Sequence, residues 1–363
     1  MAFTLAEIAK SLGIEAHGDT SLTVSGVTEP ALAEQSDIAL AMDPKYAEDI
    51  AKGKARVAML WQGADWKSLG LEAALTPVRP RYSLSGLSAM MDHGQGFETG
   101  IHPTAIIHET AEIGDQVSIG PFSVIAAGAK IGAGSVLGPH VTVGSNSSIG
   151  SQALLREGVR IGADVVIGDR FIAQPNAVVG GDGFSFVTPE ESAVEQTRDS
   201  LGSDVEAKGQ SWARIHSLGG VEIGDDVELG AGTSIDRGTV RPTRVGNGVK
   251  CDSLVQVGHN VVIGDHCLLC AQVGVAGSTR IGNYVVLGGQ SGVSDNVFVG
   301  DRVIVGGGSK ILSNVPAGRA VLGYPAVKMD THVEQYKALR RLPRILRDVE
   351  ALKKSVFNRD KSE

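Results

Sequence analysis

Aromatic residues make up only 4 % of this 363-residue chain, and cysteine occurs three times. So few rings exclude a broad core built on stacked aromatics and suit a narrow interior. Three cysteines without a Cys-x-x-Cys pair give neither a disulfide framework nor a zinc ribbon, and they predict a reducing compartment. No run of 18 apolar residues occurs, so no membrane-spanning helix is expected. The opening Met1–Glu7 has neither a basic nor an apolar targeting region, so no signal peptide is expected and the expected location is the cytoplasm. Basic side chains are outnumbered, giving a formal net charge of −8, which argues against a general nucleic-acid binder. Glycine is in excess, with 48 residues against a usual share of ~7 %.

The glycines are placed by a period. Ile101, Ile107, Ile113, Ile119, Ile125, Ile131, Leu137, Val143, Ile149, Leu155, Ile161 and Ile167 form a series with a step of six. Val245, Cys251, Val257, Ile263, Leu269, Val275, Ile281, Leu287, Val293, Val299, Val305 and Ile311 form a second. A step of six fits neither a helix of 3.6 residues per turn nor simple strand alternation. It fits a short strand and a turn with one large apolar residue pointing inward. Three such units close a triangular coil of 18 residues, and stacked coils pair strand to strand. The expected architecture is therefore mainly β, a parallel β-helix. Within it Cys251 and Cys267 fall on the large and small inward positions, as core residues.

The period also divides the chain. Residues 1–100 lack it and read as a small α/β domain. Thr4 and Glu7 have capping-box spacing, and Gly13 is placed to end that helix. The segment Asp92–Gly96 reads as a linker. The solenoid spans 101–318, with an insertion at about 181–219 and a shorter break from Asp236 to Arg244. Insertions of this kind leave a solenoid at its corners and commonly build its binding surface. From 319 to 363 the pattern turns helical, with Val333, Tyr336, Leu339, Leu342, Ile345, Leu346, Val349 and Leu352 at helical spacing. Pro343 is expected to split this region into two helices. Its polar side carries Lys337, Arg340, Arg341, Arg344 and Arg347, a basic patch on an acidic chain.

Used as a ruler, the period turns His259 outward. His259 is the third residue of its unit, where neighbouring units carry Asp265, Ala271 or Asn247. An outward imidazole in a groove is a candidate general base near neutral pH. Eighteen residues on, Gly277 holds the same slot of the next coil. A glycine there leaves its main-chain N–H open as an oxyanion donor. The remaining histidines lack the number and spacing of a zinc triad, so no metal is expected.

Gly258-His259-Asn260-Val261-Val262-Ile263-Gly264-Asp265, preceded by Ile235-Asp236-Arg237-Gly238, resembles bacterial UDP-3-O-acylglucosamine N-acyltransferases. So do Asp43-Pro44-Lys45-Tyr46, the loop Gly181-Asp182-Gly183-Phe184, and the order of parts along nearly the whole chain. The resemblance implies a left-handed β-helix, a homotrimer with sites between prisms, and a step of lipid A biosynthesis in the lipopolysaccharide pathway of a Gram-negative bacterium. A 3-hydroxyacyl chain would pass from acyl carrier protein to the 2-amino group of UDP-3-O-(3-hydroxyacyl)glucosamine. His259 would be the base and Gly277 the oxyanion donor, with Asn260, Asp236, Asp182 and Phe184 around the acceptor. No cofactor is implied beyond the 4'-phosphopantetheine arm of the carrier protein. The N-terminal domain would bind uridine. Tyr46 matches one of the family's two aromatic positions, Leu40 stands at the other, and Asp43 replaces a frequent Asn. Asn296 stands where the family has a second histidine. Arg340, Arg341, Arg344 and Arg347 would dock the acidic carrier protein, and Gly323-Tyr324-Pro325-Ala326 resembles a segment beside the pantetheine.

Three other readings compete. The O-acyltransferase of the same pathway begins its prism at the N-terminus, whereas about 100 residues precede it here. A nucleotide-sugar N-acetyltransferase using acetyl-CoA would have a different N-terminal domain and little need of a basic dock. A structural solenoid, such as an ice binder, would show threonine ladders, which this chain lacks.

Overall fold

The computed structural model describes residues 2–193, 195, 209, 211–323 and 326–357. They fall into two compact units, Met1–Phe97 and Glu98–Glu363. Tyr324 and Pro325, at the end of the prism, lie outside the described residues.

The first unit is an α/β sandwich. Five strands lie in the order Ala16–Gly18, Ala73–Leu75, Val57–Leu60, Asp37–Ala41, Gly26–Thr28, and only the first pairing is antiparallel. Strand side chains alternate between faces, and the sequence uses this. Ile38, Val57, Met59, Ala73 and Leu75 meet the helices Leu5–Leu12 and Pro80–Met91 on one face. Ala39, Ala41, Ala58, Leu60 and Ala74 pack on the other. The first helix starts and stops where the sequence says: Thr4 and Glu7 form a reciprocal capping box, and Gly13 closes the end at φ 62°.

The second unit is a three-sided parallel β-helix. Two faces hold ten strands and the third nine, each strand pairing with the one a full coil away. The offset is 18 residues for most of the length, as between Lys250 and Leu268. From Ile107 on, the six-residue series lies inside, buried or partly buried, in one continuous core with Cys251 and Cys267, while Ile101 at the open end is half exposed. One coil departs from the pattern. Ala173 takes the large inward slot, and Phe171 takes the small slot two residues earlier; both are fully buried. Their volumes are exchanged and the interior stays filled. The last strand, Ala320–Val321, pairs with Ile304–Val305, so the prism runs past the expected end at 318.

At the insertion the pairing offset rises to 56 residues, and at the Asp236–Arg244 break it is 22. Pairing resumes in step on either side, because each coil is satisfied by its neighbours regardless of what leaves the corner. The insertion is not wholly irregular: Phe186–Val187 and Ala213–Arg214 form an antiparallel pair. Arg170 and Asp226, from the coils flanking the insertion, close a two-bond ion pair at 2.6 and 2.7 Å.

Along one corner, from Asp169 to Asp301, the third residue of each unit is Asp or Asn, and it caps the turn below. Asp225, Asn247, Asp265, Asn283 and Asp301 each accept, through Oδ1, the main-chain N–H of the preceding member of the column. This ladder occupies amides that otherwise face solvent.

After the prism comes a single helix, Met329–Phe357, containing Pro343. The expected break at Pro343 does not occur. The helix is exposed around its whole circumference, so water reaches the carbonyl that Pro343 leaves unpaired, and no packed neighbour blocks the ring. The basic residues and the apolar row Val333, Tyr336, Leu339, Leu342, Ile345 and Val349 are all exposed.

Candidate active site

Val257 anchors its strand inside the prism, and His259, two residues on, turns outward at the corner. Its imidazole is half-buried and lines a cleft of about 730 Å³. Asn260 follows at φ 61°, a left-handed conformation that asparagine tolerates better than most residues. Its side chain is buried and its bonds fix which end is oxygen. Oδ1 accepts the Thr239 N–H at 3.1 Å, and Nδ2 donates to the Arg241 carbonyl at 2.9 Å. The same Oδ1 lies 3.0 Å from Nδ1 of His259. Facing an acceptor, Nδ1 must carry the proton, which leaves Nε2 with its lone pair free to act as a base.

Nε2 points along the prism at Gly277. A Cβ on residue 277 would stand 2.7 Å from Nε2, and the Ser278 N–H donates to the His259 carbonyl at 2.9 Å. The two residues are therefore stacked on adjacent coils, as the period predicts. On the capped corner the corresponding amides are taken by Asx side chains. Here the next member of the column, Asp295, turns instead to Ser294 at 3.3 Å and Asn296 at 3.2 Å. Among the described residues the Gly277 N–H donates to no group, and Gly277 lines the cleft with His259.

The insertion supplies the other wall. Gly183 lies against His259, where a Cβ would be 2.6 Å from the imidazole's own Cβ. Its N–H donates to Ser217 Oγ at 2.9 Å, and the Ile215 N–H donates to the Ser185 carbonyl at 3.0 Å. From this base rises the strand pair carrying Phe184, Phe186, Val187 and Trp212 into the cleft lining. Phe184 and Phe186 have ring centroids 5.0 Å apart, and the Arg214 guanidinium lies 4.8 Å from the Phe186 ring centre.

Asp236 ends the strand Ser234–Asp236 and is half-buried. Burial raises its carboxyl above the ordinary range, opposed by Gln256, by the charge on His259 and by Ser234. The hydrogen-bond partner of His259 Nδ1 is Asn260, whose Oδ1 accepts from it. Asn296 lines the cleft at φ 57°, and Asp182 is exposed on the loop before Gly183.

Leu40, Asp43 and Tyr46 belong to the first unit. Leu40 packs against its core, Asp43 Oδ1 caps the next turn by accepting the Lys45 N–H at 3.0 Å, and the Lys45 ammonium lies 4.9 Å from the Tyr46 ring centre. A separate cleft of about 860 Å³ in this unit is lined by Trp66, Tyr82 and His17, whose imidazole is engaged by Thr76 at 2.8 Å. Arg340, Arg341, Arg344 and Arg347 lie on the C-terminal helix, with Arg344 3.9 Å from Asp348. Among the described residues no group of His, Cys, Asp and Glu could hold a metal ion. His266, the histidine nearest His259 in sequence, is stacked on Tyr284.

Sequence reasoning missed Asp295, which the same 18-residue step from Gly277 would have found. It also missed Trp212 and Phe186, for which the insertion offers no periodic signal.

Residues 110–145 and 124–157 match the model described as bacterial transferase hexapeptide (six repeats), and residues 213–237 match the hexapeptide repeat of succinyl-transferase. The chain is 64 % identical to the UDP-3-O-acylglucosamine N-acyltransferase of Ruegeria pomeroyi over the full length of both. It is 61 % identical to that of Paracoccus denitrificans, covering 98 % of this chain and 97 % of the relative. Against that of Pseudomonas aeruginosa it is 40 % identical, over 77 % and 73 %. With the hexapeptide prism and the cleft at His259 in place, these full-length identities mean that the chain belongs to the UDP-3-O-acylglucosamine N-acyltransferase family.

Proposed function

We propose that this acyltransferase moves a 3-hydroxyacyl chain from the pantetheine thioester of acyl carrier protein to the 2-amino group of UDP-3-O-(3-hydroxyacyl)glucosamine, in lipid A synthesis. The observation that carries the reading is the pairing of a free imidazole Nε2 with an open main-chain N–H on the next coil. Acyl transfer to an amine needs both. An amine near pKa ~8 is mostly protonated at neutral pH and must lose a proton to attack.

In this mechanism Nε2 of His259 takes a proton from the amine as its nitrogen bonds to the thioester carbonyl. Negative charge builds on the carbonyl oxygen, and the Gly277 N–H receives it. The tetrahedral centre then collapses, the carbon–sulfur bond breaks, and the imidazolium returns its proton to the departing thiolate. Asn260 holds the productive tautomer throughout.

The pantetheine arm belongs to the donor, so no resident cofactor is required. Arg340, Arg341, Arg344 and Arg347 form the dock for the acidic carrier protein, and the uncovered apolar row beside them supports association of chains into a trimer. Tyr46, Leu40 and Asp43 form the uridine site. The reading places the protein in the cytoplasm, where carrier-protein thioesters are made.

The test is an acyl-transfer assay with carrier-protein donors and the UDP-3-O-acylglucosamine acceptor. Wild type is expected to transfer, and His259→Ala to lose about 10²–10⁴-fold in kcat. Full activity in the variant removes the proposed base. Transfer from acetyl-CoA alone moves the protein to the N-acetyltransferases.

A further inference from the structure

We propose that the cleft of about 860 Å³ in the first unit is a second binding site, which takes a small planar ring carrying a phosphate or a carboxylate. The acyl-transfer reading makes no use of this cleft. Leu40, Asp43 and Tyr46 are absent from its lining, and it shares no residue with the cleft at His259.

The cleft lies where the fold offers a seat. Its volume is in the usual range of a small-molecule site. Part of its wall is made by the loops that follow two parallel strands, Val57–Leu60 and Ala73–Leu75. Open α/β sheets commonly hold ligands at these carboxyl ends. Trp66 stands in the first loop. It packs against the small core of Ala39, Leu60 and Ala74 and also lines the cleft, so its indole is a stacking surface held in place from behind.

The anion belongs at the start of the helix Pro80–Met91. Arg79 is the cap residue, no side chain caps the helix, and the Arg81 N–H donates to no group among the described residues. Arginine is a poor cap, and two arginines at the positive end of a helix oppose its dipole. A bound anion turns that opposition into attraction. Arg79 lines the cleft, forms no ion pair among the described residues, and lies 5.9 Å from the Tyr82 ring centre.

Ser83, one turn into the helix, is an independent sign of a missing partner. It lines the cleft and is only 9 % exposed, yet its hydroxyl makes no hydrogen bond among the described residues. Ser85 and Ser88 on the same helix donate to the carbonyls three residues back. A nearly buried hydroxyl without a partner is costly, and an oxygen of a ligand in the cleft satisfies it. Glu15 is the one carboxylate in the lining; its side chain is 73 % exposed and stands 3.9 Å from His17. It is therefore screened by water and leaves the seat at Arg79 positive.

The experiment is calorimetric titration of the full chain with four probes: adenosine monophosphate, phenylacetate, adenosine and inorganic phosphate. At least one of the two ring-bearing anions is expected to bind saturably, about tenfold tighter than adenosine or phosphate alone. The tighter of the two shows whether the seat takes a phosphate ester or a carboxylate. Ser83→Ala and Arg79→Gln are each expected to weaken that binding about tenfold, since both remove a bond to a charged group. Trp66→Leu is expected to weaken it at least about fivefold by loss of stacking. Tyr46→Ala is expected to leave it unchanged. Ser83→Ala breaks no bond of the folded chain, so it keeps the test valid if Trp66→Leu melts early.

Absence of saturable binding by both anions overturns the site. Binding that Ser83→Ala and Arg79→Gln leave untouched overturns it as well, and so does binding that Tyr46→Ala abolishes. The readout involves no acyl transfer, so it stands or falls apart from that reaction.

Discussion

His259 and Gly277 occupy the same slot on consecutive coils, and the imidazole Nε2 fills the space that a side chain at 277 would need. A Cβ there would approach it to 2.7 Å, tighter than any ordinary contact. The glycine is required by the imidazole above it and not by the turn, since its backbone is not in the left-handed region. Gly277→Ala is therefore expected to fold normally and to push the imidazole aside. Displacement of a reacting group by about 1 Å lowers kcat by roughly 10²-fold. Steady-state kinetics with a melting curve check this; an unchanged kcat would mean that Nε2 does not work beside Gly277.

Asn260 is expected to act through the tautomer of His259. Asn260→Asp keeps an acceptor for Nδ1–H and for the Thr239 N–H and loses only the bond to the Arg241 carbonyl, whereas Asn260→Ala removes all three. The alanine variant is expected to lose about 10²-fold or more in kcat, and the aspartate variant clearly less. Equal losses, with equal shifts in the pH profile of kcat/KM, would reduce Asn260 to a turn residue.

Asp236 makes a pH-dependent contribution whose sign is fixed by burial. Its folded-state carboxyl holds its proton to higher pH than in the unfolded chain. Between the two values the folded state binds more protons, so stability falls as pH rises through that window. Asp236→Asn removes the ionisable group, so the melting temperature of the variant minus that of wild type is expected to grow from about pH 4 to about pH 7. A difference that shrinks over this range would show that His259 and Gln256 outweigh burial.

The exchange of volumes at Phe171 and Ala173 predicts coupling. Phe171→Val leaves a cavity in a sealed core and is expected to cost about 2–4 kcal/mol. Adding Ala173→Ile restores the pattern of the other coils and is expected to recover at least about half of that loss. Denaturant melts of the two single variants and the double variant measure the coupling, and strict additivity would contradict it.

The basic helix carries a prediction about the donor. Arg340→Glu with Arg344→Glu is expected to raise KM for a carrier-protein thioester about tenfold at low salt and much less at high salt. KM for the same acyl group on free pantetheine is expected to stay put. Equal effects on both donors would remove the helix from carrier recognition.

Much of the prism was legible residue by residue. An inward aliphatic every sixth position states which side chains are buried, and three such steps state which positions stack, so His259 and Gly277 could be paired without coordinates. The capping box at Thr4 was similarly local. Pro343 misled because its penalty depends on what surrounds the helix, and a helix open to water absorbs it. Phe171 was invisible to a rule that looks only at the large slot.

The sequence by itself determined the coil, its register and the outward placement of His259, because those follow from a short period and from interactions between positions a fixed step apart. The tertiary structure alone decided what surrounds the base. The three partners that orient Asn260 lie in the loop and strand just before its coil, at Thr239, Arg241 and Thr243. The aromatic arm over His259 comes from an insertion that obeys no period. Bonds of that kind join segments whose separation is set by loop length, and only the folded chain brings them together.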